Sequence, residues 1–302
     1  MSNIILRVKN LTKSYTGHRA VSDFNLTLFK GQVYALLGQN GAGKSSVLRI
    51  LAGIFTPDKG TIELFTDRKI GYLPEERGLY QNMKVLEHLE YISVLRGFDS
   101  KNLKDKAIEM LNRVGLNDWH NRLVKELSKG MQQKVQLLAS LLHDPELLIL
   151  DEPFSDLDPV SVKTITDLIQ ELKGKGSSVI VSAHQMRITE SISDTFCFLH
   201  QGHTRWQGSK QKLKQYFGRN LYKLKLNNCD RIAWPEELKA QIVTERAAQN
   251  SGDEQNVLAV QLELEREEIA KQLLAHLASN YEVISFERYT PSLEEAFHQL
   301  TA

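Results

Sequence analysis

The stretch Gly38-Gln39-Asn40-Gly41-Ala42-Gly43-Lys44-Ser45 constrains the fold more than any other part of the chain. Before it runs Val33–Leu37, an apolar segment suited to a buried strand. After it, Ser46 leads into Val47, Ile50 and Leu51, which share one face of a helix. Strand, glycine-rich turn, lysine, hydroxyl and helix is the pattern of a phosphate-binding loop. Glycines let the backbone wrap closely around phosphate oxygens, and the helix N-terminus adds unpaired N–H donors and a positive dipole. Lys44 supplies a point charge for β- and γ-phosphates, and the Ser45 hydroxyl can ligate Mg²⁺. No glycine completes Gly41-x-Gly43-x-x, so a dinucleotide fingerprint is excluded.

Elsewhere along the chain, strand and helix patterns alternate. Ile4–Val8 and Ser14–Arg19 read as strands, followed by alternating Phe24, Leu26 and Leu28. Val85–Arg96 and Lys101–Val114 carry Leu, Ile and Met at helical spacing, and Ser128 opens a helix to about His143. Leu147–Leu150 and Val179–Ser182 are short apolar strands around a helix over Val160–Lys173. Phe196–His200 and Thr204–Gln207 face each other across Gln201-Gly202 as a hairpin. The order predicts an α/β fold with a largely parallel, mixed sheet and a helical subdomain over about 76–145.

The tail differs. Up to Gly218 there are 29 Lys and Arg against 23 Asp and Glu; from Arg219 onward there are 9 against 14. This reversal, just after Tyr216-Phe217-Gly218, divides the chain into domains 1–218 and 219–302. In the second, strands over Tyr222–Leu226, Gln241–Arg246, Val257–Leu264 and Tyr281–Arg288 alternate with helices over Pro235–Lys239 and Glu265–Ala278, and a last helix starts near Ser292. That is the order of a small ferredoxin-like α+β unit.

Leu147-Leu148-Ile149-Leu150 runs straight into Asp151-Glu152-Pro153. A buried strand ending in Asp places that carboxylate at the carboxyl edge of the sheet, beside the phosphate loop. Asp151 is then suited to hold Mg²⁺ and Glu152 to polarise an attacking water as general base.

With these residues in order, the first 215 residues or so resemble the ATP-binding cassette (ABC) ATPases. Tyr15 stands where that family stacks an aromatic ring on adenine, and Leu127-Ser128-Lys129-Gly130-Met131-Gln132 is similar to its signature motif. Ser155-Asp156-Leu157-Asp158 resembles the loop through which subunits communicate, and His184 the switch histidine that contacts the γ-phosphate. Taken singly, Tyr15 reads as a surface aromatic, Ser128 as a plain N-cap and His184 as a core histidine; together they are in register.

The resemblance implies ATP and Mg²⁺ as ligands. It assigns ATP contacts to Tyr15, Gly38, Asn40, Gly41, Ala42, Gly43, Lys44, Ser45 and Ser46, with Ser128 and Gly130 serving the site of a second copy in a homodimer. Glu152 and His184 are the implied catalytic residues, Asp158 the communicating one, and Ser45 and Asp151 the metal ligands. Lys129 and Met131 depart from the usual signature, and Glu75 replaces the usual Gln as a contact to the metal or the water. The Gly71–Tyr80 stretch and the extra C-terminal domain are similar to exporter-type subunits of the sodium-efflux and multidrug kind. There the permease is a separate membrane polypeptide, and the ATPase sits in the cytoplasm on the inner face of the cell membrane. Glu75 to Met83, with Leu79 and Tyr80, is the segment expected to dock that permease.

Composition agrees. A net charge of +1 argues against a nucleic-acid partner, and no window reaches the run of about eighteen apolar residues that a membrane span needs. Met1–Asn10 lacks a secretory pattern. Cys197 and Cys229, far apart, read as two buried free thiols of a cytosolic protein. The alternative functions are a soluble cassette ATPase uncoupled from transport, and a nucleotide-gated scaffold without catalysis. A single phosphate loop and no heptad run speak against the first, and Glu152 against the second.

Overall fold

The computed structural model describes residues 3–66, 70–98, 101–217, 220–229, 231–239, 242–247 and 257–301. The chain forms two compact units, Met1–Ser209 with Phe297–Ala302, and Lys210–Ala296. Gly218 and Arg219, where the sequence predicts the domain boundary, lie outside the described residues, as does Gln241 at the start of a predicted strand.

Among the described residues the first unit has nine strands: β1 Ile4–Tyr15, β2 His18–Phe29, β3 Val33–Leu37, β4 Lys59–Leu64, β5 Gly71–Leu73, β6 Leu147–Asp151, β7 Ser178–Ala183, β8 Thr195–His200 and β9 His203–Ser209. Their order across the sheet is β4-β1-β2-β9-β8-β3-β7-β6-β5. Strands β8, β3, β7, β6 and β5 run parallel, while β1 is antiparallel to both of its neighbours, β4 and β2. Every residue of β3, β6 and β7 is buried, as continuous apolar runs in a doubly covered parallel sheet must be. In β2 the alternation of Phe24, Leu26 and Leu28 inward with Asn25 and Thr27 outward gives the strand one buried face.

The helices of this unit are α1 Lys44–Leu51, α2 Val85–Leu95, α3 Leu103–Arg113, α4 Lys129–Leu141, α5 Pro159–Gly174 and α6 Met186–Ile192. Helix α1 buries Val47, Leu48, Ile50 and Leu51, and each such side chain taken from water contributes about 1.5–3 kcal/mol. Helices α2 to α4 fall between β5 and β6 in the chain. Asp158 caps α5 and Pro159 takes its first position, where the missing N–H has no intrahelical role. No helix among the described residues is long and apolar enough to cross a membrane.

Two sequence readings change. Ser14–Arg19 is not one strand: Tyr15 pairs with His18 across Thr16-Gly17, with Gly17 at φ 76, so this segment is a hairpin turn between two twelve-residue strands. Cys197 is buried and its thiol is pushed up to about 11 by burial, but Cys229 is only partly buried.

The second unit opens with α7 Lys210–Phe217 and continues through β10 Leu221–Asn227, α8 Glu236–Lys239, β11 Ile242–Ala247, β12 Val257–Leu264, α9 Ile269–Asn280 and β13 Glu282–Arg288, ahead of α10 Leu293–Thr301. Its strands form an antiparallel sheet in the order β11-β12-β10-β13, the arrangement of a ferredoxin-like unit. Leu224, Leu226, Leu262 and Leu264 from the sheet meet Ile269, Leu273 and Leu277 from α9 in one core.

Candidate nucleotide site

Three adjacent parallel strands deliver the chemistry to one edge of the sheet. The phosphate loop follows β3, His184 follows β7, and Asp151 ends β6 with Glu152 next in the chain. A cavity of about 500 Å³ is lined by the loop residues Gln39, Asn40, Gly41, Ala42, Gly43, Lys44, Ser45 and Ser46, together with Tyr15, His18, Ala20, Glu75 and Glu152. Gly43 is required by two facts: its φ is 104, and a Cβ there would stand 2.2 Å from the Ala20 carbonyl oxygen. The tip of the β8–β9 hairpin braces the loop, with the Gly202 N–H donating to the Ala42 carbonyl at 3.0 Å and the Ser22 N–H donating to the Gly202 carbonyl at 2.8 Å.

Lys44, 6% exposed, donates to the Gly38 carbonyl at 2.8 Å, and its Nζ lies 3.6 Å from Glu152 Oε1. The other oxygen of that carboxylate is 2.8 Å from His184 Nδ1. Glu152 has a left-handed backbone, φ 50, a conformation that costs a non-glycine residue about 1 kcal/mol or more and is held only where the surroundings fix it. Its N–H donates to Ser182 Oγ at 2.9 Å, and the same hydroxyl donates to Asp151 Oδ1 at 2.6 Å. Asp151 is fully buried, and among the described residues its Oδ2 has no hydrogen-bond partner.

Asp151 is not among the residues lining the cavity, but its orphaned oxygen at the end of β6, with the Ser45 hydroxyl and Glu75 on the cavity wall, supplies the hard oxygen donors that suit Mg²⁺ held jointly with phosphate. Among the described residues no group of three or more His, Cys, Asp or Glu could hold a metal alone.

The site thus gathers Tyr15, the loop, Glu75 and Glu152. His184 joins through Glu152; with its side chain 58% exposed it is no core histidine. Ser128 and Gly130 do not line this cavity. Ser128 caps α4, accepting from the Met131 N–H at 3.3 Å. Asp158 uses both carboxylate oxygens on Ser161, at 2.9 Å to its N–H and 2.5 Å to its hydroxyl, and these bonds hold its carboxyl below the usual range.

Sequence reasoning missed Ser182 and His18. A serine closing the apolar run Val179-Ile180-Val181 was the available signal for Ser182, which pairs in register with Asp151. His18 sits opposite Tyr15 in the hairpin, so both rings project from one face.

Residues 21–155 match the sequence profile described as ABC transporter, and residues 208–301 that described as ATP-binding protein DrrA1-3-like, C-terminal domain. An uncharacterized ABC transporter ATP-binding protein of Bacillus subtilis, YhaQ, is 33% identical over 300 residues, 97% of each chain. The lantibiotic transport ATP-binding protein SrtF of Streptococcus pyogenes is 34% identical over 206 residues, 66% of this chain and 88% of its own length. Among solved structures, an ATP-binding subunit of an ABC transporter superposes with a TM-score of 0.66 at 29% identity, covering 71% of this chain and 93% of that one.

Proposed function

The chain belongs to the ABC transporter ATP-binding proteins, and we propose that it hydrolyses Mg-ATP between two copies of itself and thereby drives export through a separate membrane permease. The observation that carries the dimer is the position of Ser128 and Gly130: they start α4 but take no part in the cavity holding the phosphate loop. A helix N-terminus with a serine hydroxyl and a close-approaching glycine N–H suits a γ-phosphate. A second copy, docked head to tail, presents this terminus to the first copy's loop, and Asp158, two residues after the Asp156 carbonyl that lies against Gly130, follows the partner's nucleotide.

Within one subunit, the partly exposed ring of Tyr15 on the cavity wall stacks on adenine. Lys44 and the loop amides hold the phosphates, with Lys44 leaving the Gly38 carbonyl and Glu152 to do so. Ser45, Asp151 and Glu75 would hold Mg²⁺, which would neutralise phosphate charge. Glu152, released from Lys44, orients the attacking water and takes its proton. His184 fixes the Glu152 carboxylate from the far side and contacts the γ-phosphate as charge develops.

The domain division near 218, cytoplasmic residence on the inner membrane face and the absence of a nucleic-acid partner belong to the same reading, and the likeness to a lantibiotic transport protein supports the transport role. For permease docking, Tyr80 is 48% exposed and packs edge-on against exposed Tyr91 at 5.5 Å, whereas Leu79 points inward. Purification of the full chain from native membranes tests the reading: a multi-span protein should accompany it, and Tyr80→Ala should lose that protein while keeping its melting temperature. Recovery with ribosomes or DNA in place of a membrane protein would overturn the transport role.

A further inference from the structure

Helix α4 touches the two loops that flank the site through side chains which the hydrolytic reading leaves without a role. Gln133 is 1% and Gln136 6% exposed, and their spacing puts them on one face of the helix. Gln133 Nε2 donates to the carbonyls of Glu152 at 3.4 Å and Pro153 at 3.5 Å. Gln136 Nε2 donates to those of Pro74 and Glu76, both at 3.0 Å. The same helix therefore grips the backbone around Glu75 on one side and around Glu152 on the other. At its first turn Gly130 lies against the second loop, since a Cβ there would stand 2.9 Å from the Asp156 carbonyl oxygen.

The two loops also meet directly, through an ion pair between the Arg77 guanidinium and the Asp156 carboxylate. The Arg77 side chain is only 24% exposed, and its Nε is buried. Asp156 holds a left-handed backbone, φ 59, which Asp tolerates better than most residues but does not prefer. One residue earlier, the Ser155 N–H donates to the Glu152 carbonyl at 3.3 Å, so the backbone of Asp156 is two links from the general base.

We propose that Arg77 is a positioning residue for ATP hydrolysis, whose ion pair with Asp156 fastens the loop carrying Glu75 to the loop running from Glu152 to Asp158. This rests on the proposed roles of Glu75 and Glu152. A pair half open to water adds little to global stability; its effect lies in geometry. Without it Asp156 is free to leave the left-handed region, and the turn that begins at Glu152 moves with it. The pair also gives the permease-facing side of the subunit a mechanical route to the dimer-facing side, because Arg77 stands between Glu75 and Tyr80 while Asp156 stands between Glu152 and Asp158.

Steady-state ATP hydrolysis, nucleotide binding and melting temperature of the full chain test the proposal. Arg77→Ala and Asp156→Asn should each lower kcat by roughly 10- to 100-fold, the range for a small misplacement of a reacting group, with KM for ATP and melting temperature unchanged. The double variant should be no worse than either single one, and the reversed pair Arg77→Asp with Asp156→Arg should recover most of the turnover. Arg77→Lys, which keeps the charge, should fall in between and serves if the alanine variant does not fold. Wild-type turnover in Arg77→Ala, additive losses in the double variant, or a loss expressed in KM would overturn it. If the wild-type chain hydrolyses ATP and Glu152→Gln stops it while Arg77→Ala has no effect, only this proposal fails; a wild-type chain without ATPase activity defeats the function proposed above.

Discussion

Replacing Ser182 by alanine removes one oxygen that serves two buried partners. The hydroxyl donates to Asp151 at 2.6 Å and accepts from the Glu152 N–H at 2.9 Å, and Ser182 and Asp151 are both fully buried. A hydrogen bond to a charged group contributes about 1.5–3 kcal/mol and a neutral one about 0.5–1.5 kcal/mol, and here both partners stay behind unsatisfied, so a loss of about 2–4 kcal/mol is expected. For a unit of this size that corresponds to a fall in melting temperature of roughly 5–15 °C. Turnover should fall as well, because Asp151 would retain no hydrogen bond to either oxygen and Glu152 would lose the contact that anchors its left-handed backbone. Calorimetry and ATP hydrolysis on the same preparation provide the measurement. A melting temperature within about a degree of wild type, with unchanged turnover, would refute the reasoning, since among the described residues Ser182 is the partner that these atoms have.

Gly43→Ala should abolish nucleotide binding, measured by titration calorimetry, because the added carbon collides with the Ala20 carbonyl and sits at φ 104; the backbone strain alone is worth about 1–3 kcal/mol. Lys44→Ala should lose nucleotide affinity, whereas His184→Ala should keep it and lose about 10²–10³-fold in turnover, the amount seen for one transition-state donor. Burial lowers His88 and His143 to about 4, so the unfolded chain binds more protons than the folded one between about pH 6.5 and 4, and stability present above that window is lost as pH falls through it. Denaturant titrations at several pH values should show this slope, and His88→Leu should flatten it.

The legible parts of the fold are those whose local pattern coincides with burial. Val33–Leu37, Leu147–Leu150 and Val179–Ser182 announce themselves because both faces of those strands are covered. Lys59–Leu64 escapes notice since only Ile62 among its residues is even half-buried, and Gly71–Leu73 is three residues long. Ser14–Arg19 has strand-like residues on both sides of a turn that a single glycine marks. In the site, Lys44, Ser45, Asp151 and Glu152 belong to contiguous motifs and could be read directly. Ser182, Gln133 and Gln136 act on backbone atoms 19 to 62 residues away, and an isolated serine or glutamine carries no local mark of such a partner. Lys44 held on Gly38 and Glu152 is likewise a fact of three-dimensional contact, invisible in the motif that contains it.

The central claim is that a second copy completes the ATP site, and the molar mass of Glu152→Gln in the presence of Mg-ATP tests it most directly. With the general base replaced, nucleotide stays bound and unhydrolysed, so light scattering should show a monomer without ATP and a dimer with it, and adding Ser128→Arg should abolish the ATP-dependent dimer while leaving ATP affinity for the monomer's own loop intact. A Glu152→Gln chain that remains monomeric at saturating Mg-ATP and high protein concentration, or that still hydrolyses ATP at the wild-type rate, would contradict the account.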